Sequence, residues 1–420
     1  MKFRRKIYLV GGDLTTFIGK FHPDFIWKKH PDFGQKENPT LEQNLAKAIN
    51  GAFEKTGVDP AAIDKGYIGN FAGELFSNQG HMGALAVRAN EKLRGKPFTR
   101  LEGACASGGL AVVAGIDALN AGHDVVLAAG AEVQTTVSAR EGAGYLARAA
   151  HWETERDIDD FTFPAMFARR AMHYKSKYGV TDEDIARVSV KAYANANKNP
   201  YAHMRAVEMD LEHASTASDR NPAFLRNEEL KPHLKVSDCS QVSDGAAAII
   251  LASEDGLAKL GVDKSDCVEI LSYGHTTSPL GDVDDYTTLD NTERAAQQAY
   301  EEAGLKPTDI DVAEVHDCFA VTELMMYEAL GFAEPGKGAQ LVRDGETDID
   351  GRIPVNTGGG LIAFGHPVGA TGIKQALEIY RQMKGQCGDY QVPNQPKYGL
   401  TANMGGDDRT TVCLAMENVE

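Results

Sequence analysis

Apolar and polar residues recur along the chain in two spacings, which predict helices and strands in alternation. Apolar residues at helical spacing predict a helix over Leu41–Thr56, and Gly57 provides a stop signal. Short, strongly apolar runs predict strands at 63–70 and 124–134. Alternation of this kind is typical of an α/β fold, a mostly parallel sheet with crossover helices.

The pattern occurs twice. Residues 53–64 align without a gap to residues 300–311, and 127–134 have a counterpart in 400–407. The Ala-Ser-Gly that follows Cys105 also resembles the Ala-Thr-Gly after His366. Three matches in the same order predict a duplicated α/β unit.

A charged, aromatic and helical segment at about 136–241 interrupts the first repeat, and we expect it to be an insertion. The chain is therefore predicted to divide into halves at 1–255 and 266–420. Ligands of such sheets bind beyond the carboxyl ends of the strands, so equivalent turns of the two halves can converge on one pocket.

Charge and cysteine content narrow the class of protein. A net charge of −17 argues against a nucleic-acid partner. The six cysteines lie far apart and form no Cys-x-x-Cys pair, which disfavours zinc ribbons and disulfide scaffolds and favours the reducing cytoplasm. No apolar run has the length of a membrane span.

One cysteine has the surroundings of a nucleophile. Cys105 lies between a predicted strand and a predicted helix at 111–121, among small residues that let a ligand come close. Because the positive end of a helix favours a thiolate, we expect a nucleophile near neutral pH. A packing cysteine is the alternative.

Three turns of the second half carry candidate partners for that cysteine. His-Asp-Cys-Phe at 316–319 opens a predicted helix, although capping alone would explain His316. A glycine-rich turn at 356–372 surrounds His366, which is placed to accept a thiol proton unless it is only a turn residue. The loop at 401–407 is either an oxyanion site built from backbone N–H groups or a hairpin turn.

Together these motifs resemble the thiolase family. Cys-Ala-Ser-Gly at 105–108, His-Asp-Cys-Phe at 316–319 and Gly-His-Pro-Val-Gly-Ala-Thr-Gly at 365–372 are most similar to the sterol-carrier-protein-2 type of thiolase. In that type, His-Asp-Cys-Phe stands where other thiolases carry Asn-Glu-Ala-Phe. The resemblance covers essentially the whole chain, and the three motifs in this order are specific.

The resemblance implies a five-layered αβαβα thiolase fold with a loop domain inserted in the first half. It also implies a coenzyme A thioester substrate, with no permanently bound cofactor and no metal. By motif, Cys105 would be the nucleophile and His366 its base, and His316 with His366 would polarise the thioester oxygen of the substrate. The N–H groups of Cys105 and Gly405 would hold the acyl-enzyme oxygen.

One departure from the family pattern concerns the second catalytic cysteine. Most thiolases carry it in a Cys-x-Gly motif, which here reads Asn403-Met404-Gly405. Asparagine cannot shuttle a proton. The cysteine of His-Asp-Cys-Phe takes that duty in the sterol-carrier type, so Cys318 is the candidate acid and base.

The resemblance thus implies an acetyl-CoA acetyltransferase or 3-ketoacyl-CoA thiolase, an acyltransferase of lipid and fatty acid metabolism. It also implies a homodimer or homotetramer, and some relatives work beside a small acyl-CoA-binding partner protein. Two alternatives remain open: a decarboxylating condensation or retro-aldol cleavage of a coenzyme A ester, and a non-catalytic acyl-CoA-binding subunit.

Overall fold

The computed structural model describes residues 3–419, so only the outermost ends of the two predicted halves lie outside the described residues. Nine strands form one sheet, in the order β3-β2-β4-β5-β1-β6-β9-β8-β7. The strands are β1 Ile7–Leu14, β2 Lys65–Gly69, β3 Phe98–Leu101, β4 Val125–Glu132, β5 Gly245–Ser253, β6 Val268–Thr277, β7 Val312–Glu314, β8 Tyr398–Gly405 and β9 Thr410–Asn418.

Helices connect and cover these strands. They are α1 Leu41–Thr56, α2 Gly73–Phe76, α3 Met82–Val87, α4 Ser107–Asn120, α5 Ala139–Leu146, α6 Trp152–Glu155, α7 Thr162–Tyr178, α8 Asp182–Ala196, α9 Leu211–Ser215, α10 Glu254–Leu260, α11 Asp290–Ala303, α12 Ala320–Ala329, α13 Gly338–Arg343 and α14 Thr371–Met383. Helices α5 to α9 all lie between β4 and β5. Within residues 3–419, no helix combines the length and the apolar character needed to cross a bilayer.

Local signals fix the ends of α1 where the sequence predicts them. The Thr40 side chain accepts the Gln43 N–H, and the Gln43 side chain accepts the Thr40 N–H in return, so two backbone donors at the helix start are satisfied. At the other end, Gly57 takes the left-handed conformation, with φ of 69°.

The two halves of the sheet repeat one arrangement. In the first half β2 pairs with β4 in parallel, β4 with β5 antiparallel, and β5 with β1 antiparallel. In the second half β7, β8, β9 and β6 are joined in the same way. The halves meet where β1 and β6 run antiparallel. This symmetry confirms the duplicated α/β unit.

The expectation of a mostly parallel sheet is wrong, because five of the eight strand pairings are antiparallel. Strands β8 and β9 are joined by the short turn at 406–409. So short a connection joins only antiparallel neighbours, whereas parallel strands need a long crossover.

Helices form three layers around the two halves of the sheet. Helix α1 packs on one face of the first half, against Leu127 and Ala129 of β4, and α4 packs on the other, where Val126 and Ala128 lie. Helix α14 lies beside α4 and contacts both halves, and α11 covers β6 and β9. The five-layered αβαβα fold is confirmed. Because α4 and α14 are neighbours, the turns that precede them meet at one place.

Candidate active site

Cys105 lies in a single helical turn, Ala104–Ala106, between β3 and α4. Ala104, immediately before it, has a φ of 51°, a conformation that L-residues rarely adopt. The turn is held from within: Ser107 Oγ accepts the Gly103 N–H at 3.1 Å and donates to the Ala104 carbonyl at 2.6 Å. The chain is thus bent sharply at the candidate nucleophile.

The Cys105 side chain is a thiol at neutral pH, so the expected low pKa is wrong. The residue keeps a partly exposed surface, yet protein atoms surround its sulfur. Burial raises the pKa to about 12, which outweighs the stabilising N–H groups of Gly406 and of Cys105 itself. The residue therefore needs a base to become a nucleophile.

His366 has the properties of that base. Its Nδ1 lies 2.6 Å from Thr371 Oγ1, and the Thr371 hydroxyl donates its one proton to the Pro367 carbonyl at 3.2 Å. Nδ1 must then be the donor to Thr371, which leaves the lone pair on Nε2. Burial lowers the pKa of His366 to about 3, so the ring is neutral and can accept a proton.

The structure brings both predicted histidines to Cys105. The Cys105 Sγ and one ring nitrogen each of His316 and His366 lie within 4.8 Å of one another. The two rings meet edge to face, with centroids 5.1 Å apart. Burial, and then His366, lower the pKa of His316 well below its usual value. These atoms also have the donor types of a metal site, so the expectation that catalysis needs no metal stays a prediction.

Cys318 lies in the same region, just before α12. Burial is the main cause of a pKa well above the usual value, and the neighbouring Cys105 is the next cause. The backbone carbonyl of Cys318 accepts the Ser240 N–H at 2.9 Å. Cys318 is therefore a buried thiol within electrostatic range of Cys105.

The end of β8 closes the site from the second half. Asn403 Nδ2 donates to the Cys105 carbonyl at 3.0 Å and approaches His316 Nδ1 at 3.3 Å. A Cβ on Gly405 would lie 2.1 Å from the Gly103 oxygen, so only glycine lets β8 end against the Cys105 turn. The N–H that acts on the Cys105 thiol belongs to the next residue, Gly406, and the oxyanion role of Gly405 stays a prediction.

Two family models match the chain on either side of a short gap. The thiolase N-terminal domain matches residues 32–255, and the thiolase C-terminal domain-like model matches residues 272–416. The chain belongs to the thiolase family.

Similar proteins agree with that assignment. The acetyl-CoA acetyltransferase of Methanothermobacter thermautotrophicus is 40% identical over 86% of this thiolase and 90% of its own length. Sterol carrier protein 2 of Oryctolagus cuniculus is 33% identical over 84% of this chain and 64% of its own. Among solved structures, the Ltp2-ChsH2(DUF35) aldolase superposes with a TM-score of 0.76 at 22% identity, covering 98% of this thiolase and 97% of that chain.

The site residues of this thiolase that sequence reasoning missed are those that orient others. Ser243 Oγ accepts the backbone N–H of His366 at 3.3 Å, and Gln134 Nε2 donates to the backbone carbonyl of His366 at 3.1 Å. Both come from distant parts of the chain, and no pattern connects them to His366. Thr371 lies inside the Gly-His-Pro-Val-Gly-Ala-Thr-Gly motif at 365–372, where a hydroxyl at the start of a helix close to the histidine is a signal that could have identified it.

Proposed function

We propose that this thiolase is an acyltransferase that cleaves a 3-ketoacyl-CoA with coenzyme A and, in reverse, condenses two acyl-CoA molecules. As an acetyl-CoA acetyltransferase it would act on acetoacetyl-CoA. The observation that carries the proposal is the approach of Cys105, His316 and His366 to within 4.8 Å. The named activity of the 40% identical relative supports it.

Cleavage begins with proton transfer from the Cys105 thiol to His366 Nε2. The sulfur attacks the ketone carbon, and the bond between that carbon and the α-carbon breaks, with its electron pair passing to the α-carbon. Cys318 protonates that carbon, and acetyl-CoA leaves. A second coenzyme A gives its thiol proton to the Cys318 thiolate and attacks the acyl group on Cys105. The new acyl-CoA leaves, and the Cys105 sulfur takes back the proton held by His366.

Hydrogen-bond donors hold the charge that develops on oxygen in each step. His316, and His366 once it has taken the Cys105 proton, are proposed to polarise the thioester oxygen of the substrate. The N–H groups of Cys105 and Gly405 are proposed to hold the acyl-enzyme oxygen. A preorganised donor in a buried site is worth about 10²–10³ in rate, so these groups supply a large share of the catalysis.

Steady-state thiolysis of acetoacetyl-CoA tests the proposal. Cys105→Ala is expected to abolish turnover, because no other group forms the acyl intermediate. Cys318→Ala is expected to acylate Cys105 from acetyl-CoA but to fail in condensation and in cleavage of acetoacetyl-CoA. Cys267→Ala is the matched control, a buried free cysteine beside β6 that is expected to keep wild-type turnover. Wild-type turnover in Cys105→Ala would overturn the proposal.

The two alternatives predict other outcomes. A retro-aldol enzyme would release a ketone or aldehyde without consuming coenzyme A, and it has no use for an acyl-cysteine. A non-catalytic subunit would bind acyl-CoA without turnover. Two thiols and two neutral histidines in one region favour thiolysis over both.

Further properties belong to the same proposal. We propose a cytoplasmic homodimer or homotetramer with no permanently bound cofactor, in which acyl-CoA and coenzyme A are substrates. Six free cysteines support the reducing compartment. The division into 1–255, with its insertion at about 136–241, and 266–420 is supported by the repeated strand order. A small acyl-CoA-binding partner is supported by the two-component name of the structurally similar aldolase.

A further inference from the structure

We infer that Asn403 is a positioning residue that fixes the tautomer of His316, holding its ring proton on Nε2 so that His316 is a hydrogen-bond donor. Asn403 stands where other thiolases carry their second catalytic cysteine. The catalytic meaning of this tautomer rests on the proposed function, while the hydrogen bonds that support it are independent of any activity.

The orientation of the Asn403 amide is set by two backbone groups. Its Oδ1 accepts the Gly109 N–H at 3.0 Å, and its Nδ2 donates to the Cys105 carbonyl at 3.0 Å. If the amide were turned over, Nδ2 would face an N–H group and Oδ1 would face a carbonyl, which is repulsive at both ends. The contact network therefore assigns nitrogen and oxygen without ambiguity.

Two glycines allow the Asn403 amide to reach these groups. A Cβ on Gly109 would lie 2.8 Å from Asn403 Oδ1, and a Cβ on Gly372 would lie 2.4 Å from the same atom. Real Cβ atoms do not approach an oxygen so closely. The first turns of α4 and α14 thus enclose the amide, and Asn403 is only 1% exposed.

The tautomer of His316 follows from the remaining proton of Nδ2. An amide nitrogen donates two hydrogen bonds and accepts none, so the 3.3 Å contact makes His316 Nδ1 the acceptor. A neutral imidazole with a lone pair on Nδ1 carries its proton on Nε2. His366 has the opposite tautomer, because Thr371 Oγ1 accepts a hydrogen bond from its Nδ1–H.

The two histidines therefore have different chemical capacities. His366 offers a lone pair to the Cys105 thiol, and His316 offers an N–H to a developing oxyanion. A cysteine at position 403 has one weak donor, which could not bind the Cys105 carbonyl and His316 together. Asn403 supplies no thiol to the site, but it makes His316 a hydrogen-bond donor.

Nitrogen NMR on the native enzyme tests the tautomer directly. With histidine labelled by ¹⁵N in both ring positions, and His316 assigned from the signals lost in His316→Asn, the ring shifts separate protonated from unprotonated nitrogen. We expect an unprotonated Nδ1 in His316 and an unprotonated Nε2 in His366. A protonated Nδ1 in His316 would overturn the inference. No substrate is needed, so an inactive protein with the expected tautomers would refute only the proposed function.

A double-mutant cycle tests the catalytic consequence. Asn403→Asp keeps the acceptor for Gly109 but replaces the nitrogen that donates to His316 and to the Cys105 carbonyl with an acceptor, which forces the His316 ring proton onto Nδ1. We expect kcat to fall by about 10²–10³ with a small change in KM, the usual cost of one oxyanion donor. In the His316→Asn background there is no imidazole tautomer to change. The same substitution is then expected to lower kcat far less, by the part that comes from the lost hydrogen bond to the Cys105 carbonyl.

Asn221→Asp is the matched control. Asn221 is also 1% exposed and bonds backbone groups through both ends of its amide, but it lies in the 136–241 segment against Ser237. It is expected to lower stability and leave kcat intact. Equal losses of kcat from Asn403→Asp in both backgrounds would show a merely structural role and overturn the inference. If Asn403→Asp fails to fold, the NMR measurement on the native enzyme still decides.

Discussion

The hydroxyl of Thr371 offers the sharpest single perturbation of the proposed base. Thr371→Val keeps the shape of the side chain and removes the oxygen that lies 2.6 Å from His366 Nδ1. The buried Nδ1–H would then lack an acceptor, at a cost of about 1–3 kcal/mol. A ring that moves its proton to Nε2 escapes this cost but can no longer accept the proton of Cys105.

Either outcome slows formation of the acyl-enzyme. Because about 1.4 kcal/mol corresponds to a factor of ten in rate, the expected loss is about 5- to 150-fold. The assay is single-turnover acylation by acetoacetyl-CoA, with thermal unfolding measured in parallel. Thr371→Ser restores the oxygen and is expected to acylate at nearly the wild-type rate. Wild-type acylation in Thr371→Val would refute the account of His366.

Three further predictions concern stability. Arg170→Met leaves the buried Asp407 carboxylate without its ion-pair partner and should lower the free energy of unfolding by about 3–5 kcal/mol. Arg187→Met, which breaks the exposed pair with Glu183, should lower it by less than about 1 kcal/mol; chemical denaturation measures both. Burial lowers the pKa of His203 to about 4. As the pH falls below about 6.5, the unfolded chain therefore protonates His203 before the folded chain does. Between pH 6.5 and about 4, the wild type should therefore lose up to about 1.4 kcal/mol of unfolding free energy per pH unit through His203, and His203→Gln should not show this loss. Gly372→Ala places a Cβ 2.2 Å from the Gly109 nitrogen, and a lowered melting temperature is expected.

The parts of the fold that local signals determine were predictable. Helix α1 begins after Thr40 and ends at Gly57, and the first turn of α8 is acidic, as is typical of a helix start. The duplication was visible because the two halves still share spacing at 53–64 and 300–311. Whether neighbouring strands run parallel or antiparallel was not predictable, because it depends on which strands pair after long connections. Strands β4 and β5 are an example.

The candidate site shows the same division. The motifs identified Cys105, His316 and His366, which the structure brings together. The ionisation of Cys105 was predicted wrongly, because a helix N-terminus is a local feature whereas burial by both halves depends on the whole fold. The hydrogen bonds with Thr371 and Asn403 that orient the histidines likewise exist only in the folded chain.

Mass spectrometry of the trapped intermediate shows directly whether Cys105 carries the acyl group. The enzyme is mixed with acetoacetyl-CoA without free coenzyme A, quenched in acid and digested. We expect one acetyl group on the peptide that contains Cys105 in the wild type and none in Cys105→Ala. Cys318→Ala is expected to be acetylated by acetyl-CoA but only slowly by acetoacetyl-CoA, because Cys318 protonates the departing carbon. Turnover with no acetyl group on Cys105, or an acetyl group on another residue, would contradict it.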